Sequence, residues 1–171
     1  MEPDESLAER AGGGDVAAFA ALVARHEARV RRFVRRAAGH AADDIAQETF
    51  LKAWRRRGEW RGHGSYIGWL LRIAWTTFLD QQRASRRRAA REAIEPDARH
   101  DAPDPELALA VGQALAALPA GERAAAELCF AQGFSHSEAA AVLGLPLGTL
   151  KSTVARARAK LVVILEVSDD R

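Results

Sequence analysis

The chain has 171 residues, a formal charge of +2 and a pI near 9.1, and its 48% hydrophobic content includes few aromatics, at 6%. A single cysteine, Cys129, and five histidines without metal-ligand spacing exclude an internal disulfide and a cysteine-built zinc site. The acidic N-terminus lacks the apolar centre of a signal peptide, and no apolar run approaches bilayer-spanning length. The expectation is a soluble, all-helical protein of one ordinary domain or two small ones, with cations clustered into local patches.

In chain order, GGGD at 12–15 closes a short leader that can form a helix of its own. A helical pattern then runs from Val16 to about Ala38. Phe19, Leu22, Val23, His26, Val30, Phe33 and Val34 form its apolar stripe. Arg25, Arg29, Arg32 and Arg36 line another face, read most simply as solvated. Gly39 and His40 break the pattern. Asp43 and Asp44 open the next helix, where carboxylates suit the positive end of the dipole. That helix continues through IAQETFLKAWRRR, with Glu48 and Lys52 as an i,i+4 pair. Its polar residues admit three readings. Asp43, Asp44 and Glu48 are ligands for a divalent ion, or caps and surface charge, or part of an aromatic-edged docking face. No second carboxylate- or histidine-bearing helix matches the first of these.

A loop with glycines at 58, 62 and 64 follows, and a long helix resumes near Tyr66 and runs to about Arg88. Ile67, Leu70, Leu71, Ala74 and Phe78 form its inward face. All four tryptophans lie between Trp54 and Trp75, interleaved with Arg55, Arg56, Arg57, Arg61 and Arg72. Rings that stack on bases beside cations that track phosphates are what single-stranded DNA binding requires. From Glu92 to Glu106, six carboxylates stand against one arginine among three prolines, the composition of an extended linker.

Helices are expected over about 106–117, 121–132, 135–143 and 148–165, before a polar, frayed tail, SDDR. Cys129, in the apolar context ELCFA, reads as a buried structural thiol. Ser135 and Glu138 form an S-x-x-E capping box, and Gly144 suits a left-handed helix end. Pro146 forbids uninterrupted continuation and suits a second helix start. On that second helix Leu150, Val154, Ala157 and Leu161 face inward. Thr149, Ser152, Thr153 and Arg156 fall on the outer face, flanked by Lys151 and Arg158. A helix with small polar groups near its N-terminus and cations beyond fits a DNA major groove.

Together these motifs resemble the sigma-70 family, specifically its compact extracytoplasmic-function class (group IV) of RNA polymerase sigma factors. The resemblance covers about residues 16–91 and 107–165. DDIAQETFLKAW at 43–54 is similar to the region 2.2 motif that grips the polymerase β′ coiled coil. WRGHGSYIGWLLRIA with FLDQQRASRRR is similar to regions 2.3 and 2.4, which melt and read the −10 element. LPAGERAAAELCFAQGFSHSEAAAVLGLPLGTLKSTVARARAKL is similar to region 4, which reads the −35 element.

The resemblance implies a leader at 1–15, a region 2 domain at 16–91, a linker at 92–106, a region 4 domain at 107–167 and a tail at 168–171. By position, Asp44, Ile45, Gln47, Glu48, Phe50 and Trp54 would serve or support docking on the polymerase β′ and β subunits. Trp60, Arg61, Ser65, Tyr66, Arg72, Trp75, Thr76, Arg83 and Arg87 would bind −10 DNA, the loop from Trp60 to Tyr66 holding a flipped base. Thr149, Lys151, Ser152, Thr153, Ala155, Arg156 and Arg158 would line the −35 groove. The implied partners are core RNA polymerase, promoter DNA and an anti-sigma factor in the bacterial cytoplasm, with no cofactor, metal or catalytic residue. Two departures stand out: Trp75-Thr76 where the family often has Arg-Asn, and Thr153 where it often has Arg. The rivals are a stand-alone dimeric helix-turn-helix regulator, a metal-dependent nuclease built on Asp43, Asp44 and Glu48, and a sigma-like factor that melts DNA poorly because of Thr76.

Overall fold

The computed structural model describes the backbone of residues 2–38, 42–92 and 112–169, and the side chains of all of these but 38, 91, 92 and 165–169. Among the described residues the regular elements are helical. They are α1 (Asp4–Gly12), α2 (Val16–Ala38), α3 (Ala42–Arg55), a 3-10 turn (Arg57–Glu59), α4 (Tyr66–Glu92), α5 (112–116), α6 (Ala120–Ala126), a π-helical turn (Glu127–Ala131), α7 (His136–Leu143) and α8 (Leu147–Asp169). None is long and apolar enough to cross a membrane. The expected linker lies outside the described residues except for Glu92, which ends α4. Two residues assigned to the tail, Ser168 and Asp169, continue α8.

The apolar stripe of α2 packs where its spacing places it. Leu22, Val30, Phe33 and Val34 are buried against Ile45 and Ala46 of α3 and Leu70, Leu71 and Ala74 of α4. The leader does not stand apart from this core. Leu7, Ala8 and Ala11 of α1 are buried in it. Asp4 pairs with Arg25, and its other oxygen lies 2.7 Å from His26 Nε2. The expected Glu48–Lys52 pair is not formed. Lys52 instead donates to the Thr77 hydroxyl at 3.2 Å, and Glu48 lies 3.9 Å from Arg55. Thr77 is buried, so its hydroxyl draws Lys52 away from the surface pair.

The C-terminal helices pack on the N-terminal ones as a continuation of the same core. Leu128, Phe134, Ala139, Ala140, Val142 and Leu143 join the cluster that holds the stripes of α2 and α4. The arginine face of α2 therefore lines the seam while staying partly in water, the Arg32 side chain being 51% exposed. Arg29 stacks over the Phe134 ring at 5.8 Å and donates to the Gln132 carbonyl at 3.4 Å. Arg32 Nε lies 3.3 Å from Glu127 Oε1, and Arg36 Nε 4.0 Å from Oε2. From the other side, Arg123 donates to the Ala37 carbonyl at 3.4 Å. Glu127 is buried, and a carboxylate out of water is tolerated only when charge or hydrogen bonds compensate it. The π-helical turn begins at this residue. Cys129 lies within it, half-buried, and burial pushes its thiol pKa above the usual cysteine range.

Replacing Arg32 and Arg36 together with Glu would set three carboxylates against one another at the seam. Small-angle X-ray scattering of that variant should give a larger radius of gyration at unchanged helical content. An unchanged radius would mean that the seam does not depend on the Arg32 and Arg36 pairs with Glu127.

Candidate nucleic-acid interface and docking face

The helix-turn-helix forms as its local signals require. Glu138 N–H donates to Ser135 Oγ at 3.3 Å, and Ser135 N–H donates back to Glu138 Oε2 at 2.9 Å, completing the capping box at the start of α7. Gly144 ends α7 at φ 66°, a conformation that costs a residue with a Cβ but not glycine. Pro146 supplies the carbonyl that accepts from Leu150 N–H at 3.0 Å as α8 begins. Leu150, Val154 and Ala157 are buried, and Leu161 is partly buried against the cluster of Ala157 with Leu115, Leu118 and Ala126.

On the opposite face Thr149, Lys151, Ser152, Ala155, Arg156 and Arg158 are exposed. Thr153 departs from its expected place and is only 6% exposed. It follows Leu150 by three residues and precedes Ala157 by four, so it sits at the edge of the inward stripe. Its hydroxyl donates to the Thr149 carbonyl at 2.8 Å and accepts from Arg156 Nη2 at 3.1 Å.

The second face lies between α2 and α3. An open groove of about 610 Å³ is lined by Val16, Phe19, Val23, Phe50, Leu51 and Trp54, with Asp44 and Gln47 among its polar residues. Phe19 and Trp54 rings meet at 5.1 Å, and Arg57 caps the Trp54 ring at 4.3 Å. Val16 is 66% exposed, and Leu51 is exposed beside Phe50. Neither was legible as a site residue, because the groove exists only once α2 and α3 are paired. Glu48 is half-exposed, whereas Ile45 is buried and supports α3 from behind.

The third constellation is the loop between α3 and α4. It turns through Gly62 and Gly64, both at positive φ. Ser65 Oγ accepts from Gly68 N–H at 3.2 Å and starts α4. Trp60 packs edge-on against Tyr66 at 5.6 Å, and Tyr66 lies against Trp69 at 5.4 Å and His26 at 5.8 Å. Arg61 and Ser65 are exposed, Trp60 half-buried and Tyr66 buried. Burial pushes the Tyr66 phenol well above its usual range.

Further along α4, Arg72, Thr76, Arg83 and Arg87 are exposed. The Thr76 hydroxyl donates to the Arg72 and Ile73 carbonyls at 3.1 and 3.0 Å. Arg83 lies 3.3 Å from Asp80. Trp75 is 6% exposed and packs between Phe33 and Phe78, at 6.4 and 5.3 Å, as a core ring. A pocket of about 200 Å³ separates the loop from α7, lined by His63, Gly64, Trp69 and Arg72 on one side and Phe134, Glu138 and Ala141 on the other. Arg72 crosses it and donates to the Ala141 carbonyl at 3.0 Å.

His26 holds the base of this loop together. Burial keeps its pKa below the usual histidine value although Asp4 opposes that shift. The geometry agrees. A neutral imidazole donates from Nε2 to Asp4, and the buried Nδ1 has no partner among the described residues. Protonation would leave an unpaired donor there.

A two-part helical protein with a helix-turn-helix, a tryptophan-rich loop and an apolar groove is the class these features define. The family model for Sigma-70 region 2 matches residues 22–88, and that for Sigma-70, region 4 matches residues 108–161. The RNA polymerase sigma-H factor of Pseudomonas aeruginosa is 34% identical, over 92% of this chain and 91% of its own length. The ECF RNA polymerase sigma factor SigM of Mycobacterium tuberculosis is 37% identical, over 89% of this chain and 79% of its own. Among solved structures, the sigma factor RpoE in complex with the anti-sigma factor NepR from Bartonella quintana superposes with a TM-score of 0.77 at 32% identity, covering 89% of this chain and 99% of RpoE. CnrH in complex with the cytosolic domain of CnrY gives a TM-score of 0.70 at 31% identity, covering 96% of this chain and 97% of CnrH. The chain belongs to the sigma-70 family, among the RNA polymerase sigma factors of the extracytoplasmic-function class.

The depressed His26 pKa has a definite sign in folding. The unfolded chain takes up a proton near the ordinary value of about 6.5 that the folded chain resists, so stability falls as pH drops through that value and levels off below the folded one. Urea midpoints measured from about pH 7.5 to about pH 5 should therefore fall more steeply for the wild type than for His26→Gln. Parallel curves would show that His26 does not titrate differently on folding.

Proposed function

We propose that this chain is a promoter-specificity subunit that docks on core RNA polymerase through the α2–α3 groove and reads promoter DNA with α8 and the loop before α4. The observation that carries the reading is the coexistence, on one chain, of an open apolar groove and two basic faces of different character. Val16, Phe19, Phe50, Leu51 and Trp54 offer apolar surface of the kind buried at protein interfaces, rimmed by Asp44 and Gln47. Lys151, Ser152, Ala155, Arg156 and Arg158 present a convex helical face suited to a duplex groove.

The loop performs a different task. Trp60, Tyr66 and Trp69 form a cluster of edge-on and tilted rings, with Arg61 and Arg72 near them in the chain. Rings and cations so arranged favour unstacked bases over duplex. Binding therefore traps strands that have already separated by thermal opening, and no nucleotide hydrolysis is needed. The Thr76 hydroxyl bonds its own helix, so Arg72, Arg83 and Arg87 carry the charge along this face of α4.

In the closed arrangement Arg72 is engaged by α7 and the loop pocket is shared with the C-terminal half. Reading two separated promoter elements requires the halves to part. A protein that binds across both halves and keeps them closed would act as an inhibitor. The solved complex of the similar RpoE with an anti-sigma factor supports that kind of partner. A stand-alone duplex-binding regulator would leave the groove and the loop without a task.

Run-off transcription with purified core RNA polymerase on genomic fragments from the host tests the reading. The chain should direct new, discrete transcripts. Phe50→Ala should weaken polymerase binding by roughly tenfold or more, the scale of an interface hot spot. Arg156→Ala should leave polymerase binding intact and abolish the transcripts. Tight, specific duplex binding without polymerase, and no transcripts with it, would favour the stand-alone regulator.

A further inference from the structure

Arg156 leaves α8 with its side chain 56% exposed, yet its guanidinium is held along one edge. Nε donates to Glu122 Oε1 at 3.4 Å and Nη2 to Thr153 Oγ1 at 3.1 Å. Thr153 is fixed in turn by donating to the Thr149 carbonyl. Glu122 stands on α6, 34 residues earlier in the chain, with its side chain only 11% exposed. Its Oε2 accepts from Lys160 Nζ at 2.8 Å, one helical turn beyond Arg156. Lys160 first, and Arg156 after it, keep the carboxyl below its usual range, so the charge persists at neutral pH.

A guanidinium carries five N–H donors in one rigid plane. Here Glu122 and Thr153 take two of them, one on Nε and one on Nη2, and three remain on a side chain that is more than half exposed. A plane pinned along one edge keeps its orientation and has less rotamer freedom to lose when it meets a base. Bidentate reading of a base edge depends on such alignment. Glu122 does a second thing. It draws Lys160, which would otherwise be a mobile cation for any phosphate, back onto the domain.

We propose that Glu122 and Thr153 are positioning residues for Arg156, so that sequence discrimination by α8 depends on a carboxylate of α6, and that Glu122 restrains Lys160 from sequence-independent phosphate contact. The proposal rests on the assignment of α8 as the duplex-reading helix.

The test uses the full chain bound to core RNA polymerase. Duplexes that the wild-type complex selects from a library randomised upstream of the start site supply a preferred sequence. Binding to that duplex and to a scrambled one is then measured across a salt series. Glu122→Gln and Thr153→Val, both close in volume to the native residues, should each lower the preference about tenfold, the scale of one good base contact. Glu122→Gln should also bind the scrambled duplex more tightly, with a salt dependence steeper by about one released ion, while Thr153→Val leaves that slope unchanged. Adding Glu122→Gln to Arg156→Ala should cause no further loss of preference, because the group being positioned is already gone. If both conservative variants keep the wild-type preference while Arg156→Ala loses it, the positioning proposal is overturned and the assignment of α8 stands. If Arg156→Ala keeps the preference too, α8 is not the reading helix and both fall.

Discussion

Glu127 is a carboxylate buried where the two halves of the chain meet, and its charge has to be answered by the arginine face of α2. The C-terminal helices meet the N-terminal ones around it. Arg32 and Arg36 approach Glu127, Arg29 covers Phe134, and Arg123 reaches back to Ala37. The apolar side chains of α7 then close onto α4 within a single core. The seam thus combines charged pairs, which water can replace once the halves part, with the apolar contacts of a shared core, which it cannot.

The functional faces relate to this joint in different ways. The α2–α3 groove opens away from it and is accessible in the closed state. The reading face of α8 is also exposed. The loop before α4 shares a pocket with α7, and Arg72 is engaged there. The closed chain thus leaves the groove open while the loop before α4 is partly covered.

Features decided by local sequence were legible. The S-x-x-E box at Ser135, the left-handed Gly144 and the buried spacing of Leu150, Val154 and Ala157 all stand where the chain alone places them. So do the inward stripes of α2 and α4, because helical periodicity reports which side is dry. What was missed depended on partners far away in sequence. The α2 arginines read as solvated because Glu127 lies about a hundred residues on. Thr153 is the local exception: it lies at the edge of the inward stripe, where helical spacing leaves either face open, and its hydroxyl is held by the Thr149 carbonyl and Arg156. The leader read as separate because the burial of Leu7, Ala8 and Ala11 requires α2 to be in place. The Glu48–Lys52 pair failed for the same reason, with Thr77 of another helix taking the lysine.

The central claim is that the groove docks the polymerase and that docking goes with parting of the halves. Amide hydrogen exchange of the chain, free and bound to core RNA polymerase, measures both at once. Binding should slow exchange along residues 16–23 and 43–54 and speed it at the π-helical turn and along α7 as the seam opens. Unchanged exchange at 16–23 and 43–54 in a complex that nonetheless forms would contradict the central claim, since the polymerase would then be holding the chain by some other face.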